Sequence, residues 1–421
     1  MHSTAPLAFL LSQHPAINHA LLLREIRALR ALGLDIKTVS IRAPDRPTVE
    51  LSADEKDEQA RTFYVIPLGL AGALRSHVQV VFRHPGRYLN GLLFAVSLSG
   101  WNLRKAVSLL AYFAEAVIIG HWMEQNRLTH VHVQYSSTVG LLVCRMFPVE
   151  LSVSFHGPDE FNDPAGSWLR EKIEASHFVR AISFYARSQL MKSCDAGHWN
   201  KIEVAYMGVD PSAFSPRPFR PAPVPFEILC VGRLAPVKAQ HILLAAVEQL
   251  QREGRAVRLH LAGGGPDRAS LERAVTDRGI QNSVVIHGWV SEDQLAGLYR
   301  QADAFVLASF AEGLPGVLME AMAMEIPCVS TWITGVPELI RDGVDGLLTP
   351  PSDPAAVARA VAALMEDPGL RLRIGQAGRR RVLETFDLQR NAVHLAHVFD
   401  RHLTPTQHAR GTPGLASIIG E

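Results

Sequence analysis

Apolar residues fall along this chain in short blocks at regular intervals. The run 7–11 has strand length, 20–32 carries apolar positions at helical spacing until Gly33 stops it, and 35–41 returns to strand length. Together they predict a β-α-β unit. The rhythm is lost over 42–120, where helical stretches are divided by Pro, Gly and charged turns. It returns as strands over 130–134, 151–155 and 178–182, with helices over 138–147 and 168–175. Six prolines from Pro211 to Pro225 then remove the backbone donors that a helix or central strand needs, which predicts a linker over 211–225. Beyond it, strands over 227–231, 258–262, 284–287, 304–307, 328–330 and 346–348 alternate with helix-length segments, the pattern of a parallel sheet. The predicted fold class is α/β, with two doubly wound domains, 1–210 and 226–386, facing a cleft. The tail 404–421, rich in Pro, Gly, Thr and Ala, is expected to be flexible.

Composition narrows the classes. With 421 residues, 48% of them hydrophobic, the chain can bury two cores. Forty-two Lys and Arg balance 41 Asp and Glu, so no overall field recruits nucleic acid. The cysteines, Cys144, Cys194, Cys230 and Cys328, form no C-x-x-C pair, which argues against a zinc site and a disulfide framework. No secretory pattern is read in 1–11, so the cytoplasm is the expected compartment. The apolar stretch 106–120, interrupted by Glu115, falls short of the ~20 residues that span a bilayer and is expected to be a packed helix.

Ligands of open parallel sheets sit beyond the carboxyl ends of the strands. After the first strand of the second domain, Gly232 and Arg233 lead through Pro236 to Lys238. Two cations at a strand end either hold a diphosphate or remain solvated. The next strand ends in Gly263-Gly264-Gly265-Pro266, which either admits a ligand to the backbone or merely turns tightly; it matches neither the P-loop nor the dinucleotide fingerprint.

The most specific segment runs from Glu312 through Gly313, Leu314, Pro315, Gly316 and Val317 to Glu320. Read as a helix, with Glu320 two turns inside it, the two carboxylates stand ~12 Å apart, suited to opposite ends of a nucleotide-diphosphate sugar. Carboxylates accept hydrogen bonds from vicinal hydroxyls, and amides near Gly316 to Leu318 would face phosphates. The plainer alternative makes Glu312 a complement to the helix dipole and Glu320 a surface residue. In the first domain, strand 151–155 runs into His156-Gly157-Pro158-Asp159, where His156 either meets a sugar or is satisfied by backbone.

These segments, with Met207-Gly-Val-Asp210 and Gly335-Val-Pro-Glu338, resemble in their order the retaining glycosyltransferases of family 4 over about 150–350, and more loosely in the first β-α-β unit. The resemblance implies the GT-B fold of two Rossmann-like domains, an acceptor domain first and a nucleotide-sugar domain second, with helix 387–403 crossing back to the first. It implies Arg233 and Lys238 on the donor diphosphate, Glu320 on the ribose, Glu312 on the donor sugar and His156 at the reaction centre. Gly232, Gly263, Gly264, Leu314, Pro315, Gly316 and Val317 would complete the donor site. It implies no cofactor and no essential metal.

Two departures stand out. Leu11-Ser12-Gln13-His14-Pro15 replaces the family's glycine pair, as in the subgroup related to colanic acid and other exopolysaccharide transferases, and Thr334 stands where many members have glycine. The expected activity is transfer of a hexose from a UDP- or GDP-sugar to a hydroxyl of a glycan or lipid-linked acceptor, with retention. The competing classes are a nucleotide-sugar epimerase of the same fold and a noncatalytic carbohydrate-binding protein. Arg75, His77, Arg83, His84 and Arg87 among apolar residues fit either an interfacial helix on anionic lipid at the inner face of the membrane or a packed helix with a solvated basic face.

Overall fold

The computed structural model describes residues 6–100 and 102–403. The tail expected to be flexible lies outside the described residues. The first sheet holds β1 (Leu7–Gln13), β2 (Ile36–Arg42), β3 (Phe63–Tyr64), β4 (His130–Gln134), β5 (Glu150–Phe155), β6 (Phe178–Ala181) and β7 (Ile202–Val204). All pairs are parallel, in the order β3-β2-β1-β4-β5-β6-β7. The second holds β8 (Phe226–Val231), β9 (Val257–Ala262), β10 (Val284–Gly288), β11 (Ala304–Leu307), β12 (Cys328–Thr331) and β13 (Leu347–Thr349), in the order β10-β9-β8-β11-β12-β13 and again parallel. In both sheets the order of strands reverses beside the first strand, which opens a crevice at the carboxyl ends of β1 and β4 and of β8 and β11. The two edge strands missed by periodicity, β3 and β7, are too short to show a period of two.

In the first lobe the helices are α1 (Ala20–Ala31), α2 (Ala53–Arg61), α3 (Gly69–Arg83), α4 (Pro85–Ser99), α5 (Leu103–Gln125), α6 (Ser137–Met146), α7 (Leu169–Ala175) and α8 (Phe184–Lys192). In the second they are α9 (Gln240–Arg252), α10 (Arg268–Asp277), α11 (Glu292–Gln301), α12 (Gly316–Ala323), α13 (Val336–Leu339), α14 (Pro354–Glu366) and α15 (Pro368–Thr385). Three successive helices, α3 to α5, account for the irregular stretch: there is no strand between β3 and β4 to set a rhythm. α5 runs longer than the stretch 106–120. It is the one helix among the described residues long and apolar enough to cross a membrane, and half of its most apolar window is buried. Its C-terminal half is buried nearly all round, and its first half packs on one face through Leu109 and Phe113.

The proline-rich segment is pinned to the second lobe. Arg217 and Arg220 reach Asp303 at 3.6 and 3.2 Å, and the Arg371 guanidinium donates to the carbonyls of Arg220 and Pro221, both at 2.8 Å. The chain then returns: α16 (Leu388–Leu403) lies along α1, and Phe399 packs against Phe9, His132 and Phe178. One hydrophobic cluster runs from β1, α1 and α16 through Met207 and Val209 into the core of the second lobe.

Candidate functional site

β8 delivers Gly232 and Arg233 to the crevice, and a tight turn over Pro236–Lys238 brings the Lys238 ammonium to Glu312 at 2.6 Å. The Glu312 side chain is only 8% exposed, and the same oxygen accepts from the Ser309 hydroxyl at 2.6 Å. Burying a carboxylate this far is tolerable because a cation and a hydroxyl both face it. The backbone of Glu312 is gripped as well: its N–H donates to the Thr334 hydroxyl oxygen at 3.1 Å, and that hydroxyl donates to its carbonyl. Lys238 and Glu312, expected on different parts of one ligand, are thus ion-paired to each other. Arg233 is exposed, and no ion pair holds it among the described residues.

Beyond Leu314, which is buried, α12 starts at Gly316 with Pro315 as its cap residue and no side chain on its amides. Glu320 is the fifth residue of this helix, just over one turn in, and Glu312 lies in the preceding loop, so the spacing read as wholly helical does not apply. Glu320 is neither a free surface residue nor unpartnered. Tyr299 donates its hydroxyl to it at 2.9 Å and Arg24 of the first lobe approaches to 3.8 Å. Burial pushes the Glu320 carboxyl above its ordinary value, while the Tyr299 hydrogen bond and the Arg24 charge pull it down. Leu21 of α1 packs where a side chain on Gly316 would sit, so the first lobe's α1 faces the start of α12 and Val317 is half-buried there.

The glycine run has a packing reason. A Cβ on Gly263 would lie 2.1 Å from the Gly232 carbonyl oxygen, one on Gly264 would lie 2.2 Å from the Trp289 ring nitrogen, and one on Gly265 would lie 2.2 Å from the Leu234 carbonyl oxygen. Leu234 N–H donates to the Gly264 carbonyl at 2.9 Å, so the loops after β8 and β9 lie directly on one another.

From the first lobe, β5 carries His156 to the same crevice. Its ring is buried, hydrogen-bonded through Nε2 to the Gln134 side-chain oxygen and stacked on Tyr135 at 4.5 Å. The other ring nitrogen has no partner among the described residues. Burial, with Arg180 and His19 nearby, pushes this imidazole well below its ordinary value, so it is neutral at pH 7. The two lobes touch here: a Cβ on Gly313 would lie 2.0 Å from the His156 carbonyl oxygen. His156 and Glu312 therefore sit on adjoining loops of opposite lobes.

Several residues of this crevice escaped the sequence reading. Tyr135 holds a left-handed backbone at φ 69° with its ring between His19 and His156. Gln134, His132 and His130 share one face of β4 and bond along β5, His130 and His132 to Ser152, His132 also to Ser154. The signal was available: a fully buried strand reading His-Val-His-Val-Gln places a polar group at every second position, which only a satisfied network tolerates. Tyr299 carried no such signal, because its partner lies on a different helix.

Residues 216–381 match the family described as glycosyl transferases group 1. The colanic-acid-biosynthesis protein WcaL of Escherichia coli K12 is 26% identical over 382 residues, 85% of this chain and 90% of WcaL. The amylovoran biosynthesis glycosyltransferase AmsK of Erwinia amylovora is 23% identical over 420 residues, 94% of this chain and 99% of its own. Among solved structures, Anabaena HepE in complex with UDP-glucose superposes with a TM-score of 0.70 at 18% identity, covering 94% of this chain and 99% of HepE. Residues 216–381 thus match the group 1 glycosyl transferases, and the whole chain has the GT-B fold and is similar in sequence to glycosyltransferases of exopolysaccharide biosynthesis.

Proposed function

We propose that this chain transfers a hexose from a nucleotide-diphosphate sugar, UDP- or GDP-linked, to a hydroxyl of a glycan or lipid-linked acceptor in exopolysaccharide synthesis, with retention of anomeric configuration. The observation that carries this reading is the Lys238–Glu312 pair, 2.6 Å apart, on the loops that meet at the uncapped start of α12 and beneath His156. As the glycosidic bond stretches, negative charge grows on the diphosphate. Lys238, Arg233 and the amides of Gly316 and Val317 stabilise it more in the transition state than in the bound donor. Sugar hydroxyls donating to Glu312 replace part of what Lys238 supplies to that carboxylate, and the cation turns to phosphate. Glu320, steadied by Tyr299, takes the ribose hydroxyls. Gly232, Gly263 and Gly264 form the floor on which the diphosphate lies. No metal is required, because side-chain cations and helix amides take the leaving-group charge. His156, neutral and fixed, orients the sugar and is too weak a base to deprotonate the acceptor, which falls to a donor phosphate oxygen on the same face. HepE, crystallised with UDP-glucose, supports this class of donor.

The acceptor belongs to the first lobe, and its α3–α5 face supports contact with the cytoplasmic side of an anionic membrane. Between Arg61 and Glu115 the 53 residues contain five Lys or Arg and no carboxylate. Among the described residues, fourteen of the 28 exposed large apolar side chains lie from Ile66 to Tyr112, in stripes at helical spacing: Leu70, Leu74 and Val78 on α3, Leu89, Leu93 and Val96 on α4, Leu103, Val107 and Leu110 on α5. The deciding experiment is a screen of UDP- and GDP-sugars for binding and slow hydrolysis by the purified chain. Saturable binding with release of nucleoside diphosphate is expected; isomerisation of the sugar without release, or no turnover of any donor, would overturn the reading.

A further inference from the structure

Five residues, Thr334 to Glu338, connect the first lobe to the backbone of Glu312. At one end, the Glu338 carboxylate accepts from the backbone N–H of Phe184 at 2.8 Å and of Tyr185 at 2.7 Å, the first two residues of α8, and from the Tyr206 hydroxyl at 3.1 Å. All three donors belong to the first lobe. The cap residue Ser183 takes the next amide, Ala186, at 3.0 Å, so a side chain of the second lobe completes the N-terminus of a helix in the first. Arg381 holds the Glu338 carbonyl from behind at 2.8 Å.

At the other end stands Thr334, with φ at 41°, a left-handed backbone that a β-branched residue adopts only under strain. Glycine would sit there without penalty. What threonine adds is the hydroxyl, which both accepts from and donates to the backbone of Glu312. Between the two ends, a Cβ on Gly335 would lie 1.9 Å from the Gly313 carbonyl oxygen, so the segment lies flush on the loop that abuts His156.

We propose that Thr334 and Glu338 are positioning residues acting as one clasp. Glu338 fixes the first lobe on the second, and Thr334 passes that placement to Glu312, so that His156 and the Lys238–Glu312 pair meet in a single geometry. The strain at Thr334 is retained because the hydroxyl locks the loop bearing the donor-side carboxylate. This rests on the proposed transfer reaction for its kinetic consequences, though not for its structural ones.

The test uses the full chain and the variants T334G, T334S, E338A and T334G/E338A. E338A is expected to speed hydrogen exchange at the amides of Phe184 and Tyr185 by about ten-fold or more. Unchanged exchange there overturns the clasp whatever the reaction, whereas a wild-type chain that turns over no nucleotide sugar sinks the proposed function and leaves the exchange result to decide the clasp. Where donor turnover is measurable, T334G and E338A should each lower kcat by about ten-fold with KM for the donor changed roughly two-fold or less, and the double variant should lose little more than either alone. T334S should recover most of what T334G loses. The thermal midpoint of T334G should equal or exceed that of the wild type, since glycine relieves the backbone. A midpoint and kcat that fall together, or losses that multiply in the double variant, would reduce both residues to ordinary stabilising contacts.

Discussion

The two lobes share an architecture and differ in what they leave uncovered. The second lobe has few exposed apolar side chains, and its polar groups gather at strand ends around Lys238, Glu312 and Glu320. The first lobe leaves three apolar helix stripes facing outward, buries His130 and His132 inside its sheet and buries His156 just beyond the end of β5. Under the proposed function the second lobe would take a small anionic ligand and the first would meet something larger at its outer face, while it holds a neutral, networked imidazole toward the crevice.

The sharpest way to break this contrast is K238A. Removing the cation that faces Glu312 should lower kcat by roughly a hundred-fold or more, because in the proposed reaction it would stabilise charge that develops only as the donor breaks. Steady-state kinetics showing kcat within three-fold of wild type, allowing for the error of roughly a factor of two in such comparisons, would move the chemistry elsewhere.

The outer face of the first lobe is tested by L74E/F82E. Leu74 is 66% and Phe82 83% exposed, so the double variant should fold normally yet lose about ten-fold or more of its partitioning onto vesicles rich in anionic lipid. Flotation in which wild type and variant both stay in solution would remove the membrane from the account and leave the transferase intact.

A smaller effect is expected from Y299F. Without its hydroxyl, Glu320 loses its hydrogen-bond donor at 2.9 Å, and KM for the donor should rise by about three- to ten-fold while kcat changes little. An unaltered KM would separate Glu320 from donor binding.

The smallest concerns pH. Burial holds His130, His132 and His156 below their ordinary values in the first lobe, and His19, His77 and His121 shift the same way, against His287 in the second. The unfolded chain, titrating near 6.5, then binds more protons than the folded one as pH falls below that value, so stability is lost there. Hydrogen exchange read lobe by lobe between pH 7.5 and 5.5, values chosen to lie about one unit either side of the free imidazole, should show the first lobe loosening before the second. Equal loosening would mean the imidazole network sets no difference between them.

Much of this was legible in the chain. Strands of the second lobe could be placed within two residues because each is a short apolar run closed by glycine, proline or charge, and the candidate donor residues follow from where those strands end. The α3–α5 region was not, since its helices lie side by side with apolar stripes on outward faces, and a stripe turned to solvent reads the same as one turned to a core. Thr334 could be seen to depart from the glycine of related chains, but not why: its φ and its two bonds to Glu312 exist only once residues 22 apart in sequence are brought together.

The sequence by itself determined two parallel sheets with alternating helices, and the set of charged residues at the strand ends of the second, because hydrophobic period and turn chemistry are local properties. Only the tertiary structure decided which of those residues meet. Lys238 finds Glu312 rather than standing beside Arg233, Tyr299 supports Glu320, and Glu338 caps a helix of the other lobe. Those partnerships span 74, 21 and about 150 residues of chain and are fixed by the packing of whole lobes, for which no local pattern stands in.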